Sequence, residues 1–184
     1  MKKMKHLAVL LVFVFAFLNS YGFVHAAYGS VTTVTSISNI PSGWMIKSSS
    51  TFAGTTTYTI VDLNGAPYAA TQTVTSTLNM PYGWMIKSSS TFAGTTTYVI
   101  INLNNGPAKA TQQVNSIVNL PGGWMIKDSS TFAGTTTYTL INLNGTSVRT
   151  TVQVTSTLNM PSGWVIKSSS TFAGKTTYTI QKIS

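Results

Sequence analysis

Cysteine is absent from the 184-residue chain, histidine occurs only at His6 and His25, and acidic residues occur only at Asp62 and Asp128. Each absence removes a class of chemistry. Without cysteine there is no disulfide framework, so stability must come from packing and β-ladders. General acid and base work near neutral pH relies mostly on histidine or on carboxylates held close together, and two aspartates 66 positions apart do not form a recurring pair. Metal centres built from His, Cys or clustered acids lack their ligands for the same reason. No cofactor, no metal and no enzyme activity is expected.

Long apolar runs are equally scarce. One, Leu7 to Leu18, follows Lys2, Lys3 and Lys5 and precedes Val24-His25-Ala26, the three-part pattern of a secretory signal peptide cleaved after Ala26. Its 12 residues fall short of the roughly 20 needed to span a bilayer. The reading is therefore a leader at 1–26 and a secreted or cell-surface domain at 27–184, with no transmembrane segment and no histidine. That domain carries seven lysines and Arg149 against two aspartates, a net charge of +6. Charged residues are only 7% of the chain, yet aromatic and β-branched residues are plentiful, which is not the composition of a disordered polymer.

What is present is repetition. An 18-residue block, Gly43 to Ile60, returns starting at Gly83, Gly123 and Gly163, at a spacing of 40 each time. The departures are few: Val99 for Thr59, Asp128 for Ser48, Leu140 for Ile60, Val165 for Met45 and Lys175 for Thr55. A fixed period of this size means that one unit cannot bury its apolar face alone and packs on its neighbours. The repeats run at about 27–65, 66–105, 106–145 and 146–184.

Within a unit the apolar alternation has period two, which signals strands. In the second copy a first strand is expected from Val74 to Met80, ended by the Pro81-Tyr82-Gly83 turn, in which glycine accepts a positive φ. The second runs from Trp84 to about Phe92 and turns at Ala93-Gly94; the third runs from Thr95 to about Leu103. Ile101 and Leu103 have the opposite parity from Ile100, which implies a bulge or a strand covered on both sides. The expected core of each unit is typified by Val74, Leu78, Met80, Trp84, Ile86, Phe92, Tyr98 and Ile100. The fold class is all-β, four tandem repeats of about three antiparallel strands, packed as a compact pseudo-symmetric barrel, sandwich or propeller-like assembly. Closure is favoured over an open solenoid because it would hide Thr-rich edges and because no terminal copy reads as a cap. The Trp-Asp and Gly-His signatures of one common propeller class are missing.

Binding is the function left open. The recurring Trp-x-Ile-Lys pattern sets a ring and a cation at Trp44 and Lys47, Trp84 and Lys87, Trp124 and Lys127, Trp164 and Lys167. Odd spacing places them on opposite faces of an ideal strand, which suits a core ring and a solvated lysine. Alternatively, the ring lies at a rim beside the Pro-x-Gly turn and stacks on a sugar, with Asn79, Asn119 or Tyr82 nearby for hydroxyls. Four such sites in fixed geometry would act together on a polyvalent surface. The Thr-x-Thr spacing offers an ice-binding plane, but Val99 and Lys175 interrupt it, and threonine is simply favoured on solvent-facing strands. Sparse cations spread along the repeats, together with the export signal, argue against nucleic acid and suit an anionic envelope polymer. The expectation is a secreted, non-enzymatic repeat protein that binds cell-surface or extracellular glycan, one lectin-like site per unit. A self-associating matrix or envelope scaffold is the main alternative, and a membrane-active toxin the third.

Overall fold

The computed structural model describes residues 27–184, so the leader read at 1–26 lies outside the described residues. Twelve strands form four separate three-stranded antiparallel sheets, one per copy. The first unit contains β1 (Val31–Val34), β2 (Trp44–Phe52) and β3 (Thr55–Asp62), with β3 in the middle and a single 3-10 turn at Ile37–Asn39. The same order recurs in β4 (Thr71–Val74), β5 (Trp84–Phe92) and β6 (Thr95–Asn102), and in β7 (Thr111–Val114), β8 (Trp124–Phe132) and β9 (Thr135–Asn142). It closes with β10 (Thr151–Val154), β11 (Trp164–Phe172) and β12 (Lys175–Lys182).

The turns follow from backbone chemistry. At the Pro-x-Gly turn the Trp84 N–H donates to the Pro81 carbonyl at 3.1 Å, and Gly83 sits at φ 84°. A Cβ there would collide with the Asn104 amide, whose Nδ2 donates to the Tyr82 carbonyl at 3.0 Å, so glycine is required for space as well as for φ. The long hairpin turns through Ala93 at φ 47° and Gly94 at φ 76°, the two positive values of a type I′ turn.

Two sequence expectations are corrected within the unit. The first strand does not reach Met80: β4 ends at Val74, the Leu78 N–H bonds the Ser76 hydroxyl at 3.1 Å, and Asn79 adopts φ 58°. The local side-chain bond competes with the ladder, and the chain turns early. Neither Leu78, 49% exposed beyond the end of β4, nor Phe92 joins the expected core. In β5 the register passes from Ile86↔Ile100 to Ser88↔Val99, leaving Lys87 as a bulged residue, and the same shift spans Lys47, Lys127 and Lys167. One extra residue reverses the parity beyond it, so Phe92 leaves the face shared by Trp84 and Ile86 and stands at the hairpin tip, 87% exposed.

Both faces of the inner half of the second and third sheets are used. Met45, Val61 and Leu63 of the first unit pack on Val74, Trp84 and Ile100 of the second. Met85, Ile101 and Leu103 meet Val114, Trp124, Ile126 and Leu140 at the next joint, and Met125, Ile141 and Leu143 meet Val154, Trp164 and Ile180 at the third. The opposite parities of Ile100 and Ile101 thus mean a strand covered on both sides. Full burial of each such side chain is worth about 1.5–3 kcal/mol before entropy.

Polar bonds fix these joints. Beside each of the first three bulges a backbone carbonyl accepts from the next unit: Thr75 N–H to Ile46 at 3.3 Å, Asn115 to Ile86 at 3.0 Å, Thr155 to Lys127 at 3.1 Å. Within the second unit, Asn102 Nδ2 reaches back to the carbonyls of Ala66 and Pro67 at 2.9 and 3.1 Å and ties down the segment that enters it.

A closed barrel is excluded, because the four sheets remain separate. Contacts between units run β2 to β4, β5 to β7 and β8 to β10, and no strand contact of that extent joins the fourth unit to the first among the described residues. Val165 and Ile166 of the last unit are 38% and 47% exposed, whereas Met45, Met85 and Met125 at the position of Val165 are fully buried. Gln181 stands where Val61, Ile101 and Ile141 are apolar. The fourth copy therefore carries a more polar outer face, the character of a capping repeat.

Candidate functional site: clefts at the unit joints

Trp84, Trp124 and Trp164 are 2%, 1% and 5% exposed, while Trp44 is half-buried. Each inner ring is a joint residue. Trp84 lies 6.5 Å from the Tyr28 ring and Trp124 stacks on Tyr68 at 6.3 Å. These rings have no open face on which a sugar could stack. Lys47, Lys87, Lys127 and Lys167 are all exposed, each at the bulge of an edge strand. A charged bulge on an edge also blocks pairing with a foreign strand, so these lysines have a structural reason to recur.

Where the lysines project, the joints open. Lys87 of the second unit and Thr111, Gln112, Gln113 and Thr139 of the third enclose a cleft of about 350 Å³. The corresponding cleft at the following joint, about 280 Å³, is bounded by Lys127, Asp128, Gln153, Thr155, Lys175 and Thr177. Here two of the copy-specific substitutions meet: Lys175 Nζ donates to Asp128 Oδ1 at 2.5 Å across the joint. That hydrogen bond holds the Asp128 carboxyl below its ordinary range against the opposing effect of burial, with further help from the Ser129 N–H.

A third cleft, about 440 Å³, lies between the first two units at the Pro-x-Gly turns, among Pro41, Ser42, Asn64, Asn79, Pro81 and Tyr82. Tyr82 is 67% exposed, and its hydroxyl oxygen accepts from the Gly122 N–H at 2.7 Å, which leaves its own proton free to donate. The other copies have Ser42, Gly122 and Ser162 at this place, so the exposed ring belongs to one copy alone.

These walls supply amides, hydroxyls, cations and one open ring. Among the described residues no three His, Cys, Asp or Glu side chains come together, and every buried side-chain polar atom has a partner. Asp62 is buried and accepts from the Asn64 N–H and from Asn64 Nδ2, both at 2.9 Å, so it is engaged within its own turn. The arrangement suits recognition of a hydroxyl-rich molecule through hydrogen bonds. The clefts were not legible from sequence because each takes its walls from two units and none is centred on tryptophan. Among the described residues no helix is long and apolar enough to cross a membrane. No family model matches the chain, and comparison with curated proteins and with solved structures finds no match.

Proposed function

We propose that this is an exported, non-enzymatic repeat protein that binds extended cell-surface or extracellular glycan in the clefts between consecutive units. The observation that carries the reading is the recurrence of the cleft: a bulge lysine from one unit faces a Gln/Thr row from the next at two successive joints. Amides and hydroxyls match sugar hydroxyls, and lysine adds attraction to uronate, sulfate or phosphate substituents. Tyr82, rather than the buried Trp84, Trp124 and Trp164, supplies the ring. Each cleft is open and small, so single-site binding is weak and a polymer gains by engaging several joints at once.

A glycan array probed with the purified exported domain tests this. Binding should be competed by the free glycan, and Tyr82→Ala or the pair Lys87→Gln and Gln112→Ala should weaken it about tenfold or more. Absence of carbohydrate-dependent retention would overturn the reading.

One observation favours the scaffold alternative. Val165 and Ile183, on either side of the polar Gln181, leave some apolar surface on the outer face of the fourth unit. Concentration-dependent sedimentation that disappears with Val165→Asp would support it; a monomer at all concentrations would not.

A further inference from the structure

The four hairpin tips are not absorbed by the joints or the clefts. Phe52, Phe92, Phe132 and Phe172 are 87, 87, 86 and 86% exposed, each followed by an exposed alanine and glycine. In a single copy an exposed phenylalanine would need no explanation, but the same apolar tip stands in water four times.

Three further observations describe what the tips suit. The first residue of each turn is Ala53, Ala93, Ala133 or Ala173 at φ 47°, where asparagine, aspartate or glycine would be relaxed. Alanine keeps the tip free of polar side chains despite that strain, and recurrent strain of this kind points toward use. Immediately behind each ring, paired threonines bond hydroxyl to hydroxyl, Thr51 with Thr56 at 3.0 Å and Thr91–Thr96, Thr131–Thr136 and Thr171–Thr176 at 2.9 Å. One hydroxyl of each pair donates to the other within the ribbon, which lowers part of the cost of leaving water. Finally, the exposed charged residues of these ribbons are Lys47, Lys87, Lys127, Lys167 and Lys175, with Asp128 the one exposed carboxylate and already paired with Lys175; Asp62 at the end of β3 is buried and bonded to Asn64, and Lys182 donates to the Thr146 carbonyl.

That charge pattern selects the partner. A second copy of the chain would present the same sign of charge and be repelled, and a polysaccharide offers little apolar volume to an isolated ring. An anionic bilayer offers both a negative surface and an apolar boundary. Each bulge lysine lies five residues from its phenylalanine, roughly 17 Å along an extended strand. A ring seated about 5–10 Å into the headgroup boundary leaves that lysine about one Debye length, roughly 8–10 Å, from the charged surface.

We propose that the Phe-Ala-Gly tips are lipid anchors that seat in the interface of an anionic bilayer, with the bulge lysines drawing the domain to the surface. Single rings anchor weakly, so residence depends on more than one tip engaging.

Co-sedimentation with sugar-free vesicles of phosphatidylglycerol and phosphatidylcholine tests this independently of the glycan reading. The exported domain should pellet with mixed vesicles, and much less with pure phosphatidylcholine or at about 0.5 M salt. Each Phe→Ser change at an engaged tip should lower the partition coefficient about five- to tenfold, and the quadruple variant at least a hundredfold. Circular dichroism and melting should stay unchanged, since the rings touch little of the fold. Three results would overturn the proposal: no pelleting of the parent at millimolar anionic lipid, equal pelleting of the quadruple variant, or a change in lipid-free sedimentation coefficient with no change on vesicles, which would assign the rings to a second copy.

Discussion

Replacing Trp124 by alanine should damage the protein far more than the same change at Phe132, although both aromatics recur in every copy. Trp124 is 1% exposed, packs in one cluster with Met85, Ile101 and Leu103 of the preceding unit, and stacks on Tyr68. The joint is formed by two sheets with bonded backbones, so it cannot collapse freely around the space left behind. Truncating a buried aromatic in such a site costs about 3–5 kcal/mol, a range that includes the ring pair with Tyr68. At about 2–4 °C of Tm per kcal/mol for a domain of this size, the melting point should fall by roughly 6–20 °C. Because the lost contacts couple the second and third units, the transition should also broaden or divide. Phe132 is 86% exposed, so Phe132→Ala should stay within about 0.5 kcal/mol of the parent. Urea titrations and thermal melts followed by circular dichroism would measure both. A Trp124→Ala loss under about 1 kcal/mol, or a larger loss from Phe132→Ala, would refute this placement of the core.

Three further outcomes follow from the same contacts. Ala133→Asn should relieve a left-handed alanine and stabilise the hairpin by about 1 kcal/mol, read as a raised urea midpoint at unchanged m-value; a lowered midpoint would show that the turn is not strained. The Asp128–Lys175 pair holds the carboxyl below its usual range, so its contribution is fully present above the unfolded value near 3.9 and is lost as pH falls through the depressed folded value. Both partners are about half-exposed, which limits that contribution to roughly 0.2–1 kcal/mol and makes it fall with salt. The stability gap between the parent and Lys175→Thr should therefore shrink in urea titrations as pH falls below the unfolded value, and a gap that is independent of pH through the acid range would contradict the pairing. Removing residues 145–184 takes away one of the three apolar joints and uncovers Met125, Ile141 and Leu143; the first three units should still unfold cooperatively with reduced stability. Complete loss of cooperative unfolding would imply that the units depend on closing upon one another.

Much of the unit is legible in its residues. The Pro-x-Gly and Ala-Gly punctuation and the alternation along Trp84–Ile86 predict two of the three strands closely, while the opposite parities of Ile100 and Ile101 leave a bulge and a strand covered on both sides as alternatives, of which the packing shows the second. The misplacement of Phe92 traces to a single extra residue, because Lys87 carries no mark that distinguishes a bulged lysine from an outward one. Strand β4 is shorter than its alternation suggests because Ser76 and Asn79 satisfy the backbone locally. The polar outer face of the fourth copy was present as Val165 and Gln181, but only burial of Met45, Met85 and Met125 gives those substitutions their meaning. Clefts formed between units, and the pairing of Asp128 with Lys175 across one of them, depend on which faces meet. That information resides in the packing and not in the period.

The claim that ligand is held between units is tested most directly by amide chemical-shift mapping of the exported domain during titration with a glycan selected on the array. The account predicts saturable shifts concentrated at Lys87, Thr111–Gln113 and Asn79–Tyr82, with the tips at Phe52, Phe92, Phe132 and Phe172 unmoved. Shifts confined to the tips, or no saturable shift with any bound glycan, would contradict it.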